Sequence, residues 1–198
     1  SILTASRDTM QVWDAHVENI KEILPIHAGE INNLTFSPDG RFVAMASGGL
    51  FNKNERLQVW NAVTGQKEFG LEGGPGALLE FSSVAYSPDG RFIVAGGDYE
   101  SAGVWDTATK RFLFELKDDK PNPQDKYLSV DFVSYSPDGR FIVTANDGSS
   151  IDDKVARVWN AGTGKLKFEL KGHTDYVHSA NYSPDGRFII TASSDSTA

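Results

Sequence analysis

The chain has 198 residues, 39% hydrophobic and 23% charged, with no cysteine and a formal net charge of -8. That is enough apolar material for one large globular domain, while the acidic balance argues against a phosphate backbone, so no nucleic acid partner is expected. The lack of cysteine excludes disulfides, thiolate chemistry and Cys-based zinc sites; with no apolar run near the roughly 20 residues that span a bilayer, the expected location is the cytoplasm, away from membranes.

In chain order, two short motifs alternate. Val12-Trp13-Asp14 comes first, then a strand candidate from Ile20 to Leu24, then Ser37-Pro38-Asp39-Gly40-Arg41-Phe42. Val59-Trp60-Asn61, Ser87 to Phe92, Val104-Trp105-Asp106, Ser136 to Phe141, Val158-Trp159-Asn160 and Ser183 to Phe188 continue the alternation. Each motif occurs four times at a shared period in the high forties, and the Trp motif uses every tryptophan in the chain.

Pro-Asp-Gly is turn chemistry: Pro presets φ, Asp bonds back to the backbone and Gly accepts a positive φ. It joins a strand a, alternating as in Val84/Tyr86 or Val133/Tyr135, to a β-rich strand b such as Phe92-Ile93-Val94 or Phe188-Ile189-Ile190. Strand c carries the Val-Trp pair. After a turn such as Thr64-Gly65 or Thr163-Gly164 comes strand d, as in Lys165 to Leu170. The expected unit is a four-stranded antiparallel meander.

Over essentially its whole length this motif set resembles the WD-repeat (WD40) family. The resemblance implies an all-β fold, a β-propeller of four-stranded antiparallel blades, with residues 1–198 forming one propeller region of four repeats. It further implies a protein-interaction scaffold rather than an enzyme. Family blades carry a hydrogen-bonded His, Ser/Thr, Asp and Trp set that pins the loops. His173, Ser193 and Asp195 match it in the last repeat, and His27, Ser47 and Trp60 match it in part. The two middle copies keep Trp105 and Trp159 without the His.

Thr191-Ala192-Ser193 with Asp195 repeats Thr4-Ala5-Ser6 with Asp8, and removing that ten-residue overlap leaves 188 residues, four periods of 47. The termini read as cut inside one blade, with strands a and b at the C-terminus and a spare c and d at the N-terminus. His173, Ser193, Asp195 and Trp13 are then expected to form one shared set. The chain reads as a fragment, a processed form or an engineered propeller. Four blades in one ring need about 90° between neighbours and eight need about half that, so a homodimer forming an eight-bladed ring is expected. A piece of a longer propeller and a strained four-bladed monomer are the rivals.

In a meander the a–b and c–d turns lie on one rim and the b–c and d–a loops on the other. From each Trp to the Leu closing strand d there are eleven steps in every copy, Trp13 to Leu24 through Trp159 to Leu170. The other rim varies. Phe42 to Trp60 and Phe141 to Trp159 span eighteen steps against thirteen from Phe92 to Trp105, and the d–a connections run from thirteen to twenty. A rigid scaffold displays binding residues on such loops, so the partner is expected on the b–c/d–a face. The candidate contacts are Phe51, Lys53, Asn54, Glu55 and Arg56; Tyr99; Asp118, Asp119, Lys120, Lys126 and Tyr127; and Asp152, Asp153 and Lys154. Phe51, Tyr99 and Tyr127 are the expected aromatic anchors.

Other chemistry is thinly supported. Asp147, Asp152 and Asp153 lack EF-hand spacing, and there is no HExxH and no nucleophile elbow, so no metal, cofactor or catalytic set is expected. His178 is expected on a strand a, facing the channel or a neighbouring blade. The alternatives are an enzyme or small-molecule binder acting in the central channel, and a designed propeller with no partner.

Overall fold

The computed structural model describes residues 2–6, 9–13, 20–25, 30–48, 56–71, 80–97, 102–116, 130–146 and 154–198. Every regular element among them is a strand. The first sheet contains β1 (Ile2–Ser6), β2 (Thr9–Trp13) and β3 (Ile20–Pro25). Three four-stranded sheets follow. The second holds β4 (Glu30–Phe36), β5 (Phe42–Gly48), β6 (Leu57–Asn61) and β7 (Lys67–Gly70). The third holds β8 (Phe81–Tyr86), β9 (Phe92–Gly97), β10 (Ala102–Asp106) and β11 (Arg111–Glu115). The fourth holds β12 (Phe132–Tyr135), β13 (Phe141–Ala145), β14 (Ala156–Asn160) and β15 (Leu166–Leu170). A pair, β16 (Val177–Tyr182) and β17 (Ile189–Ser193), ends the chain. All pairings are antiparallel meanders in chain order, so the a, b, c, d assignment holds. The N-terminal sheet adds an element to that assignment: β1 is a b strand, paired with β2 as Ile2↔Trp13 and Leu3↔Val12.

These sheets are propeller blades, stacked face to face. β1 packs on β4, β4 and β5 on β8, β8 on β12, and β12 and β13 on β16. Each apolar core accordingly lies between two sheets. Leu57 and Val59 of the second sheet share one core with Phe81, Ile93 and Trp105 of the third. Val94 and Val104, on the opposite face of that third sheet, share the next with Val133, Ile142 and Trp159 of the fourth. A strand covered on both faces reads as a continuous apolar run. β5, β9 and β13 are such runs, with every residue after the leading Phe buried. β17 has nearly the same sequence, yet Ile190 is 63% exposed and Phe188, just before it, 64%. Trp105 is fully buried, with Phe81 at 5.7 Å and Phe112 at 5.3 Å, both edge-on as aromatic quadrupoles favour.

The turns between strands a and b repeat one hydrogen-bond pattern. Ser37 Oγ donates to Asp39 Oδ1 at 2.6 Å and accepts from Phe42 N at 2.9 Å, while Arg41 N donates to the same carboxylate at 3.1 Å. Ser87/Asp89, Ser136/Asp138 and Ser183/Asp185 copy it. The glycine of each turn has a φ near +70°, which no other residue adopts cheaply. Neighbouring turns nest: a Cβ on Gly90 would stand 3.5 Å from the Pro38 ring, and one on Gly139 as far from Pro88. In the third, fourth and last sheets the Tyr that ends strand a lies beside the turn carboxylate of the preceding blade. Burial first, and the charge of Asp39, Asp89 or Asp138 second, raises the phenols of Tyr86, Tyr135 and Tyr182, the last to about 12.

In all four turns the Ser hydroxyl, then the N–H of the following Arg, holds the Asp carboxyl below its ordinary 3.8. The stabilisation from such depressed groups is complete above the unfolded value and is lost as pH falls through the folded ones. Replacing Asp39, Asp89, Asp138 and Asp185 together by Asn is therefore expected to lower the melting temperature at neutral pH. The difference in melting temperature should narrow as pH falls below the ordinary carboxylate value of about 3.9; a gap that persists unchanged into strong acid would contradict it.

Candidate protein-interaction face

The a–b and c–d connections, from Phe36 to Phe42 and from Asn61 to Lys67 in the second sheet, leave one end of the strands. The b–c connections, from Gly48 to Leu57, Gly97 to Ala102 and Ala145 to Ala156, leave the other end with the d–a connections. Loop-length variation and uniform turns thus sit on opposite rims.

The described base of the variable rim is tied from blade to blade. Asn32 Nδ2 donates to Glu80 Oε1 and to the Phe81 carbonyl, both at 2.8 Å. Val130 N, entering the fourth sheet, donates to the Gly97 carbonyl of the third at 2.8 Å. Gly97 permits a close approach, since a Cβ there would run into the Glu80 carbonyl. Deeper in, Val84 N donates to Asn33 Oδ1 and Val133 N to Ser83 Oγ, each across a blade junction at 3.2 Å. The variable loops therefore spring from a fixed frame, a consequence of polar residues on strand a that sequence patterning did not single out.

Two of the candidate contact residues are described. Arg56 is only 7% exposed, and its carbonyl accepts from both Ser47 N and Ser47 Oγ. It closes the base of its loop from inside, which corrects its expected place on the surface. Lys154 is partly buried at the entry to β14. Phe51, Lys53, Asn54, Glu55, Tyr99, Asp118, Asp119, Lys120, Lys126, Tyr127, Asp152 and Asp153 lie outside the described residues, as does His27.

The expected hydrogen-bond sets are only partly as the motif suggested. In the last repeat His173 Nδ1 meets Asp195 Oδ2 at 2.9 Å, and Asp195 also accepts from Thr174 N. The hydroxyl on the other ring nitrogen is Thr191, at 2.8 Å, and not Ser193, whose Oγ donates to the Asp175 carbonyl. The fourth sheet explains the difference: Trp159 pairs with Ile142, and its indole reaches along the same face to Thr144 at 2.9 Å. Thr191 is the counterpart of Thr144, three residues beyond the same Phe. Ser47 likewise lies off the indole's path, and Trp60 donates to Gln58 Oε1 at 3.0 Å. Trp13 is described through its backbone, which pairs with Ile2 and Ile20. His178 lies on strand a, in β16, where it is exposed and meets Ser194 Oγ at 2.5 Å.

On the uniform rim, a cleft of about 360 Å³ between the second and third sheets is lined by Phe42, Phe69, Tyr86, Asp39 and Asp89. Lys110, in the c–d turn of the third sheet, places its ammonium 4.7 Å from the Phe69 ring centre. Its φ of +61° occupies the left-handed place that Gly65 and Gly164 hold in the sister turns, at a cost of roughly 1–2 kcal/mol.

The family model described as WD domain, G-beta repeat matches residues 18–61, 76–106, 124–160 and 164–198. The chain belongs to the WD-repeat family. Among curated WD-repeat relatives, Nuclear distribution protein PAC1 of Arthroderma benhamiae is 26% identical over 187 residues, covering 86% of this chain and 40% of that protein. Small ribosomal subunit protein RACK1 of Medicago sativa is 30% identical over 149 residues, 72% of this chain and 43% of its own. WD repeat-containing protein VIP3 of Arabidopsis thaliana is 29% identical over 183 residues, 90% and 54% respectively. The chain spans about half the length of these relatives or less.

Within this WD-repeat fold the blades satisfy their indoles differently, so the loss of one partner is local. Thr144→Val would leave the buried Trp159 N–H unpaired and should cost about 1–3 kcal/mol in chemical denaturation. Thr144→Ser should recover most of that. Equal losses in the two variants would show that the hydroxyl is not what matters.

Proposed function

We propose that this WD-repeat chain is a non-catalytic scaffold of the cytoplasm that docks a protein partner on the b–c/d–a rim. The observation that carries the reading is the division between rims. One is a row of identical, nested Pro-Asp-Gly turns, while every change of loop length falls on the other, over a base fixed by Asn32, Asn33, Ser83 and the Gly97 carbonyl. Constant geometry below and variable chemistry above is the arrangement of a recognition surface. Phe51, Tyr99 and Tyr127 are the proposed anchors, with Lys53, Asn54, Glu55, Asp118, Asp119, Lys120, Lys126, Asp152, Asp153 and Lys154 as the polar surround.

We also propose that two chains combine into one eight-bladed ring. The exposed Phe188 and Ile190 of the C-terminal pair favour this, since their counterparts Phe141 and Val143 are covered by β14 and by the next sheet. Light scattering should give twice the 21.6 kDa chain mass; a single-chain mass would contradict the ring.

The docking rim is tested by affinity capture with the intact chain, a variant shortened between Asp118 and Lys126, and Val63→Ser on the uniform rim, where Val63 is 62% exposed. Shortening, which removes Asp119 and Lys120 from the loop that carries the Tyr127 anchor, should reduce the captured partner at least about tenfold, and Val63→Ser should leave it unchanged. Equal capture by intact and shortened chains would sink the rim assignment.

A further inference from the structure

The cleft between the second and third sheets reflects the side chain of Lys110. At the next junction the c–d turn closes on the ring beneath it: a Cβ on Gly164 would stand 2.7 Å from the Phe114 ring and 2.6 Å from the Glu115 carbonyl. Lys110 and Gly164 each follow their Trp by five residues, and Phe69 and Phe114 follow theirs by nine. Lys110 carries a Cβ and cannot approach Phe69 in that way. The turn stands off the ring, and a space of about 360 Å³ remains. That volume lies at the lower end of small-molecule sites, about 300–1,000 Å³.

The walls of the cleft are graded from apolar to charged. Val59 is buried at the floor, Phe42, Phe69 and Tyr86 are half-buried, and Asp39 and Asp89 are exposed at the mouth. Each carboxylate commits one oxygen to its own turn. Oδ1 of Asp39 accepts from Ser37 Oγ and Arg41 N, and Oδ1 of Asp89 from Ser87 Oγ and Arg91 N. In neither does Oδ2 accept a hydrogen bond from a described residue. The guanidiniums of the same turns stack on rings, Arg41 at 5.5 Å from the centre of Phe42 and Arg91 at 5.3 Å from that of Phe92, and neither lines the cleft. An ammonium already rests on one wall, that of Lys110 over Phe69.

We propose that this cleft is a second binding site, which takes a small free amine with its apolar body on Phe42, Phe69 and Val59 and its ammonium at Asp39 and Asp89. Lys110 is a competitor built into the site. Its Cβ keeps the space open, and its own ammonium takes the face of Phe69, where a ring attracts a cation. The grading of the walls favours a free molecule over a lysine side chain of another protein. A side chain entering from solvent would bring its charged end to the apolar floor and leave its methylenes among the carboxylates. The site lies on the uniform rim, away from the proposed docking loops, so the two readings stand or fall separately.

Binding can be read from the amide NMR shifts of the folded chain, titrated with 2-phenylethylamine, which is protonated at neutral pH, and with the neutral 2-phenylethanol. The amine should bind with a dissociation constant of about 1 mM and move the amides of Tyr86, Thr107 and Ala108. The alcohol should bind about fivefold more weakly. Asp39→Asn and Asp89→Asn should each weaken the amine about two- to fivefold and leave the alcohol unchanged. Lys110→Asn, which keeps a Cβ and tolerates the left-handed backbone, should tighten the amine by a similar factor. Shifts that do not saturate, or equal affinity for amine and alcohol, would overturn the site. Tighter binding of Nα-acetyl-lysine methylamide than of the amine would give the cleft to a protein side chain and overturn the free ligand. Weaker binding of the amine to the Lys110→Asn protein would overturn the competitor.

Discussion

A blade of this protein cannot bury its own apolar residues. Its four strands satisfy one another's backbone groups, but the side chains point out of the two faces, and only a sheet on each side removes them from water. The cores sit in the junctions for this reason: Trp105 closes one together with Leu57 and Val59 of the sheet before it, while Val94 of its own sheet belongs to the next. The contrast between β13 and β17 illustrates the effect. Their sequences are close, but β13, with β14 beside it and sheets on both faces, is buried after Phe141, whereas β17, paired among the described residues only with β16, is not.

Around that constraint the repeats differ in polar detail. One indole is satisfied by Thr144 and another by Gln58, while the last repeat uses a His173–Asp195–Thr191 cluster. Such tolerance is expected where neighbour packing supplies most of the stability, since each bond contributes only about 1 kcal/mol net. The Ser-Asp turn does not vary, because it fixes both the a–b hairpin and the seat of Pro38 or Pro88 on the following turn. One rim is thereby constrained in length, and the other is left to change.

The repeat, the strand order and the constant rim were legible because each depends on local chemistry: turn residues, alternation and spacing. What depends on three-dimensional neighbours was not. Arg56 reads as a charged loop residue, but its backbone receives Ser47 and carries the side chain inward. Ser193 fits the family motif by type, whereas the strand register directs His173 to Thr191. The five residues of β1 are too short to announce a strand alone, and their likeness to β17 suggested an overlap before it suggested a pairing partner for β2. Lys110 takes a glycine's conformation in its turn, and its contact with Phe69 of another blade is set by the fold and not by local sequence.

If neighbouring sheets stabilise each blade, damage at a junction should cross it. Trp105→Ala removes a fully buried ring, a loss of roughly 3–5 kcal/mol for such truncations, and amide hydrogen exchange can map where protection falls. Protection should drop in β5 and β6 of the preceding sheet as well as in β8–β11. Loosening confined to the sheet that contains Trp105 would contradict the account.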